Sequence, residues 1–421
     1  MSSRELWERA AQRMPGGVSS PVRLFQPHPL FFARGEGARL YDVDGHGYVD
    51  YNLGFGPLIL GHADPVVTRA VQEQAARGTL FGAPSEGEVA LAELVSRLVP
   101  SVEMLRFAST GTEAAMHALR LARAHTGRDA IVKVDGGFHG SSDSLLVKAG
   151  SGAQTFGVPS SAGVPAALAK HTMVVPYNDL AALEAALRSK TVAAVILEPV
   201  LANIGPIPPQ AGYLEGARKL TREQGALLIF DEVVTGFRLA LGGAQQHYGV
   251  RADLTLLGKV LGGGLPLAAF GGRHDLMQRI APLGDVYQAG TFSGNPLSVA
   301  AGLATLTELE RRGLDGLSKE GERLARALGD VAHDRRAGIV QGVGSLFQLF
   351  LTPGPVRDAA EARRADGARF LRLHAALLTR GVYLPPSQWE TCFLSLAHAR
   401  DDIDRTVEAF DACLGSLPSS A

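Results

Sequence analysis

A single lysine stands in an apolar, glycine-rich stretch between residues 256 and 266. An amine withdrawn from water has a lowered pKa, so part of Lys259 would be a neutral nucleophile near pH 7. Upstream, residues 227–233 have the pattern of a buried strand that ends in two acids, Asp231 and Glu232. This order predicts a pyridoxal-phosphate site, in which Lys259 forms the Schiff base and Asp231 pairs with the pyridine nitrogen.

Small hydroxyl residues and a glycine precede a predicted helix at residues 112–125. Thr110, Gly111 and Thr112 follow a predicted strand at residues 104–108. Free backbone N–H groups, the helix dipole and the hydroxyl groups all favour an anion at such a place, which predicts a phosphate site. The same residue types are good helix N-caps, so plain capping is the alternative.

A second segment of this kind lies at residues 287–296. It contains Thr291 among glycines and other hydroxyl residues, and it ends at Pro296 near the start of another predicted helix. This segment also suits phosphate binding, with helix capping again as the alternative.

Candidate ligand-binding residues follow two further predicted strands. Phe138 and His139 come after one strand and Glu198 after another, and parallel sheets bind their ligands at the carboxyl ends of strands. Phe138 either lies flat against a planar cofactor or is a core residue after a turn. His139 is either catalytic or a satisfied buried histidine. Surface acids are the alternative for the carboxyl groups, less so for Asp231, whose strand should be buried on both faces.

Short apolar strands alternate with helical stretches from about residue 65. This pattern predicts an α/β fold with a mostly parallel central sheet and helices on both faces. The strands are predicted at residues 104–108, 130–134, 192–197, 226–230, 254–257 and 267–271, and the helices at 66–77, 87–98, 112–125 and 296–311.

The two ends of the chain have different patterns. Residues 3–14 have a helical pattern, and residues 30–51 predict a small antiparallel meander. A strand at residues 345–351 and two amphipathic helices, around 370–377 and 403–414, predict an α+β region. We therefore expect the two chain ends to join as a smaller domain, and we divide the chain into an N-terminal segment at 1–64, a cofactor-binding domain at 65–312 and a C-terminal domain at 313–421.

The composition excludes several classes of protein. The chain has 421 residues, of which 46% are hydrophobic and 20% charged, and its net charge is −1, which gives no sign of nucleic-acid binding. Two cysteines favour a reducing compartment, so a cytoplasmic enzyme is expected. Neither a secretory signal nor a stretch of the roughly 20 apolar residues that a membrane span needs is visible. No second histidine lies at metal-ligand spacing, so no metal is predicted.

Residues 149–168 form a long stretch rich in glycine, serine and proline, without clear periodicity. A loop of this length inside a compact domain is often functional, so a lid over the active site is predicted. A passive surface loop is the alternative.

The sequence resembles the class III aminotransferases, pyridoxal-phosphate enzymes of fold type I, over nearly its whole length. The generic marks are residues 111–114, residues 231–238 and Lys259 with its glycines. Narrower marks are similar to the aminomutases of that family, and they lie at residues 15–23, 56–57, 61–62, 147–152, 177–179, 287–291 and 386–390.

The resemblance implies roles for particular residues. Lys259 would hold the cofactor and move protons, and Asp231 would pair with the pyridine nitrogen. Further cofactor contacts would come from Thr110, Gly111, Thr112, Phe138, His139, Asn203 and Val233, and from Thr291 of the neighbouring subunit in a homodimer. Substrate contacts would come from Ser20, Arg23, Phe55 and Glu390.

The implied activity is an amino exchange within one five-carbon substrate. Glutamate-1-semialdehyde would become 5-aminolevulinate through a bound diamine, for tetrapyrrole synthesis, after handover from the reductase that makes the aldehyde. Phe55 and Phe138 stand where the family commonly has tryptophan and tyrosine, so an aminotransferase acting on a β- or ω-amino acid with a separate acceptor stays open. A non-catalytic protein that binds a phosphate ligand is the third hypothesis, although a mere binder needs no buried amine at Lys259.

Overall fold

A computed structural model describes residues 1–147 and 161–417. The strands are β1 (Phe32–Glu36), β2 (Arg39–Asp42), β3 (Gly47–Asp50), β4 (Met104–Ala108), β5 (Ala130–Val134), β6 (Thr172–Val175), β7 (Val192–Leu197), β8 (Leu227–Asp231), β9 (Leu254–Leu257), β10 (Ala268–Gly272), β11 (Ile339–Val343), β12 (Leu346–Phe350), β13 (Val382–Tyr383) and β14 (Cys392–Phe393).

Helices connect most of these strands. They are α1 (Ser3–Ala11), α2 (Pro65–Arg77), α3 (Glu86–Leu98), α4 (Gly111–Thr126), α5 (Ala166–Ala169), α6 (Leu180–Leu187), α7 (Tyr213–Gln224), α8 (Gly243–Tyr248), α9 (His274–Met277), α10 (Pro296–Arg312), α11 (Asp315–Asp334), α12 (Ala359–Ala362), α13 (Gly367–Leu378) and α14 (Arg400–Ser416), with 3-10 turns at Pro15–Gly17, Pro21–Arg23 and Lys259–Gly262.

The central sheet has the order β4-β10-β9-β8-β7-β5-β6. Only β10 runs against its neighbours β4 and β9 in this sheet, so the predicted mostly parallel α/β fold is confirmed. Each residue of β7 and of β8 is buried. On β7, Val195 packs into the core on one face, whereas Ile196 packs into the core on the other. Strands covered on both faces therefore read as continuous apolar runs.

The two chain ends meet in a smaller sheet. Strands β1, β2 and β3 form the predicted antiparallel meander, and β13 from the C-terminal region adds to it by pairing in parallel with β3. The last part of the chain forms a separate antiparallel sheet with the order β11-β12-β14. A single apolar cluster runs from Val49 through Phe107 to Leu414, so the chain ends pack directly on the part of the chain that forms the central sheet. The domain boundaries remain an interpretation.

The structure contains several elements that the sequence did not predict, among them the long helix α11 (Asp315–Asp334) and the strand β11 (Ile339–Val343). Helix α1 ends at Ala11 instead of residue 14, before the 3-10 turn that starts at Pro15. Strand β6, at the end of the central sheet, was not predicted; unlike β9, which has the same length and is fully buried, its two middle residues are only partly buried. Residues 149–160 of the predicted lid lie outside the described residues, and residues 161–168 lead into the short, largely exposed helix α5.

In the described ranges, no helix is long and apolar enough to cross a membrane. Within the same ranges, no group of three or more histidine, cysteine, aspartate or glutamate residues is placed to hold a metal ion.

Candidate active site

The parallel strands of the central sheet all end at one edge, and the predicted site residues collect there. A cleft of about 800 Å³ opens at this edge, which is within the usual range for a small-molecule site. Strand β9 leads to Lys259, β8 ends at Asp231 and β7 leads to Glu198. These residues line the cleft with Thr110, Gly111, Thr112, Phe138, His139, Asn203, Val233, Ser20, Phe55 and Glu390.

Lys259 lies in a strained backbone conformation on the cleft wall. Its φ is 48°, a left-handed value that costs a residue with a side chain on the order of 1–3 kcal/mol and is found mainly at functional sites. Burial lowers the pKa of the Lys259 ammonium group, although the nearby carboxylates oppose that shift. A larger fraction of Lys259 is therefore in the neutral amine form than for a lysine in water.

Asp231 is held rigidly by two hydrogen bonds. His139 Nδ1 lies 2.8 Å from Asp231 Oδ2, and the backbone N–H of Val233 donates to Oδ1 at 3.1 Å. Burial is the main factor that lowers the pKa of His139. The imidazole is therefore neutral, and its Nδ1–H donates to the carboxylate. His139 is thus a buried histidine that orients Asp231, although its Nε2 has no partner within the described residues.

Helix α4 begins at the residues predicted to bind an anion. Thr110 is the N-cap, and its Oγ1 accepts from the backbone N–H of Glu113 at 3.2 Å. Thr112 Oγ1 accepts from the backbone N–H of Ser141 at 3.2 Å. A Cβ on Gly140 would come within 2.4 Å of Thr112 Oγ1, so a glycine is needed for this approach. Capping and phosphate binding are compatible here, because α4 still presents its dipole to the cleft.

Glu198 connects two loops of the cleft. Its Oε1 accepts from the backbone N–H of Phe138 at 2.9 Å, and its Oε2 accepts from that of Ala202 at 3.1 Å. The side-chain amide of Asn203 lies 3.5 Å from the same Oε2. Phe138 is 37% exposed at the cleft, which excludes the alternative of a core phenylalanine.

The residues predicted to contact substrate are not all brought together. Ser20, Phe55 and Glu390 line the cleft. Phe55 has a φ of 67°, and its N–H donates to the side chain of Asn52 at 3.0 Å. Arg23 is exposed and is not part of the cleft lining, although it follows Ser20 by one short turn.

Thr291 also lies apart from the cleft of its own chain. The segment that contains it is exposed: Tyr287 is 71% and Phe292 57% accessible. Asn295 caps helix α10 with its side chain, and Pro296 occupies the first turn. Helix capping, the alternative to phosphate binding for residues 287–296, therefore explains Asn295 and Pro296 but not Thr291.

Sequence reasoning missed the part played by Arg238. This residue is fully buried, and its guanidinium group donates to the carbonyl oxygens of Gly56 at 2.5 Å and Leu394 at 3.0 Å and to Ser345 Oγ at 3.1 Å. Burial lowers the pKa of Arg238 to about 9. Arg238 therefore fixes the loop that presents Phe55. The signal that could have identified this buried role is the same as for Lys259, a single basic residue in a mainly apolar segment.

The donor set of the cleft fits pyridoxal phosphate. Lys259 offers an amine, Asp231 offers a carboxylate for a ring nitrogen, and the start of α4 offers N–H groups for a phosphate. A Cβ on Gly111 would lie 3.3 Å from a methyl group of Val233, so the start of α4 and the segment after β8 lie close together at the cleft.

Comparison with known proteins agrees with this geometry. The family described as Aminotransferase class-III matches residues 23–414. A curated glutamate-1-semialdehyde 2,1-aminomutase of Methanothrix thermoacetophila is 57% identical, and the match covers 97% of this chain and 95% of the relative.

Two solved structures show how far the likeness extends. The β-phenylalanine aminotransferase of Variovorax paradoxus has a TM-score of 0.90 at 36% identity, covering 100% of this chain and 96% of the other. A glutamate-1-semialdehyde-aminomutase of Pseudomonas aeruginosa in complex with PMP has a TM-score of 0.89 at 30% identity, covering 99% and 94%. The chain belongs to the class III aminotransferase family of pyridoxal-phosphate enzymes and, within it, to the group of glutamate-1-semialdehyde 2,1-aminomutases.

Proposed function

We propose that this chain converts glutamate-1-semialdehyde to 5-aminolevulinate by exchanging an amino group within one substrate molecule, as a step of tetrapyrrole biosynthesis. The observation that carries the proposal is the placement of Lys259 and Asp231 in one cleft with the start of helix α4. The substrate is supported by the 57% identity to a curated aminomutase over almost the full length of both chains.

Bound pyridoxal phosphate supplies an electron-accepting ring and an aldehyde that can take up and release an amino group. Thr110, Gly111 and Thr112 would hold the phosphate group at the start of α4, and Val233 and Phe138, which line the same cleft, would contact the ring. Asp231, oriented by His139, keeps a negative charge directed at the ring nitrogen. The fixed carboxylate stabilises positive charge there without having to reorganise during the reaction.

Lys259 moves the protons. With its pKa lowered by burial, the Nζ amine would take a proton from the substrate carbon that bears the transferred nitrogen and deliver it to the carbon on the other side of that nitrogen. This 1,3-shift is general acid–base catalysis by one group. Each half of the exchange needs such a shift, so the same amine acts twice. Glu390 and Phe55, which line the same cleft as Lys259, limit the room available to the five-carbon chain.

The decisive test uses glutamate-1-semialdehyde as the only substrate. Purified protein loaded with the cofactor should form 5-aminolevulinate without any added amino donor or acceptor. A parallel reaction with β-phenylalanine and a 2-oxo acid tests the second candidate, which is favoured by the 0.90 TM-score to a β-phenylalanine aminotransferase. Turnover only in the second reaction would overturn the aminomutase assignment while leaving the family unchanged.

A homodimer completes the site in this proposal. Thr291 lies on an exposed segment next to the exposed side chains of Tyr287 and Phe292, and exposed aromatic residues are typical of subunit interfaces. The Thr291 hydroxyl would then reach the phosphate of the neighbouring subunit. Sedimentation should give a species of twice the chain mass, and a monomer with full activity would contradict the proposal.

Handover of the aldehyde and location in the cytoplasm complete the proposed role. Cys392 and Cys413 are both free and buried, which is compatible with a reducing compartment. An α-amino aldehyde is reactive, so direct transfer from the reductase that makes it would limit its loss. An aldehyde trap added to the coupled reaction should then inhibit less than it inhibits this enzyme supplied with free substrate.

A further inference from the structure

Glu198 and Glu232 are two buried acids with the same local chemistry and different surroundings. Each directly follows a central strand, Glu198 after β7 and Glu232 after β8, and the two residues are 2% and 1% exposed. Glu198 accepts two backbone N–H groups, as described above. Glu232 accepts those of Ala244 and Gln245, at 2.6 and 3.0 Å, together with the hydroxyl of Thr235 at 2.8 Å.

The two acids differ in what their hydrogen bonds hold. Glu232 fixes the start of helix α8 and is not among the residues that line the cleft. Glu198 lines the cleft, and the loops that it joins carry Phe138 and Asn203. We propose that Glu198 is a positioning residue for the cofactor: its carboxyl group sets the distance between the Phe138 loop and the Asn203 loop, and so the geometry with which these two side chains meet the ring.

The geometry of the hydrogen bonds supports an acceptor on both oxygens. Two backbone N–H groups from different loops converge on one carboxyl group, and each of its oxygens takes one of them. A glutamine at this position has one carbonyl oxygen and one NH₂ group, so one of the two loops would face a donor instead of an acceptor. Burial of Glu198 and the nearby charge of Asp231 outweigh the two N–H donors and the charge of Lys259, and the net effect is a pKa of Glu198 raised to about 7.

The test compares Glu198→Gln with the matched control Glu232→Gln. The inference rests on the cofactor assignment of the proposed function and not on the substrate, so pyridoxal phosphate alone is the probe. Dissociation constants, visible absorbance and near-ultraviolet circular dichroism are measured on folded protein, and thermal unfolding is measured on the cofactor-free form. Glu198→Gln should weaken cofactor binding about tenfold, as expected when one buried hydrogen bond is lost, and should shift the visible spectrum.

The control separates positioning from stability. Glu232→Gln should lower the unfolding temperature of the cofactor-free form as much as Glu198→Gln does. Its dissociation constant for pyridoxal phosphate and its visible spectrum should equal those of the wild type. Equal cofactor binding and equal spectra in the two variants would overturn the positioning role. Failure of the wild type to bind pyridoxal phosphate would instead overturn the proposed function.

A measurement on the wild type covers the case in which Glu198→Gln does not fold. Amide hydrogen exchange is followed at Phe138 and Ala202 in the cofactor-free protein. Both amides should exchange slowly, because they are bonded to Glu198 before the cofactor arrives, and pyridoxal phosphate should change them little. Exchange of these amides at the rate of an unstructured peptide in the cofactor-free form would show that Glu198 does not hold the loops, and would overturn the inference.

Discussion

Two regions of the site differ in how many of their expected partners one chain provides. The floor of the cleft, which we define as Lys259 and Asp231, finds its partners within one chain, whereas the segment around Thr291 does not. Asp231 is 5% exposed, and both of its carboxyl oxygens are bonded. Tyr287 and Phe292, which flank Thr291, are 71% and 57% exposed. One chain therefore builds the chemistry of the cleft but leaves one predicted phosphate contact on its surface.

The difference has a physical reason. A lowered lysine pKa and a fixed carboxylate both depend on exclusion of water, which the core of a single central sheet provides. A phosphate contact needs only a hydroxyl group at the right distance, so a second subunit can supply it. Substitutions on the floor should therefore damage the chain that carries them, and substitutions at Thr291 should damage the neighbouring site.

The largest effect is expected for Lys259→Ala. Turnover should fall by about 10⁴-fold, at the upper end of what a positioned acid–base group contributes. In the wild type, borohydride reduction of the pyridoxal form followed by peptide mapping should place the label on Lys259. Lys133 is the matched control, because it is another buried lysine with a pKa lowered to about 8. Label on Lys133 would refute the assignment of the reactive amine.

Asp231→Asn should reduce kcat by about 10²- to 10³-fold, which is the usual loss when one preorganised electrostatic group is removed. The substitution keeps the shape of the side chain, but it removes the charge that keeps the ring nitrogen protonated. Steady-state kinetics and the absorbance of the loaded protein measure the effect. Near-normal turnover would count against the electron-accepting role of the ring.

Thr291→Ala should weaken cofactor binding by about 10- to 100-fold, since a hydrogen bond to a charged group contributes about 1.5–3 kcal/mol. Hybrid dimers of this variant with Lys259→Ala decide which subunit supplies the hydroxyl. If Thr291 acts across the interface, one of the two sites in the hybrid has both Lys259 and Thr291, and activity returns at limiting cofactor. A hybrid without recovered activity would place Thr291 in the site of its own chain.

The smallest effect is expected for Arg23→Lys. This change keeps the charge but loses the planar fork that binds a carboxylate with two hydrogen bonds. KM should rise about fivefold, on the order of 1 kcal/mol, with cofactor loading unchanged. Unchanged KM and kcat would agree with the exposed position of Arg23 outside the cleft lining, and would assign the substrate carboxylate to another residue.

Most strands of the central sheet, together with Lys259 and Asp231, could be predicted from the sequence alone. The apolar runs of β7 and β8 could be identified because both faces of each strand are buried. Lys259 and Asp231 could be identified because burying a charged side chain among apolar residues costs free energy unless a partner or a function compensates for it. The four-residue strand β6 could not be predicted, since its place at the end of the sheet depends on its pairing with β5.

The hydrogen-bond partners of the two neighbouring acids could not be predicted. The sequence singled out Asp231 for the ring nitrogen, but it did not pair Asp231 with His139, and it assigned no partner to Glu232. The packing of helix α8 gives Glu232 its partners, whereas His139 gives Asp231 its own. These partners are about a dozen and about ninety residues away in sequence, so their contacts exist only when the sheet has assembled.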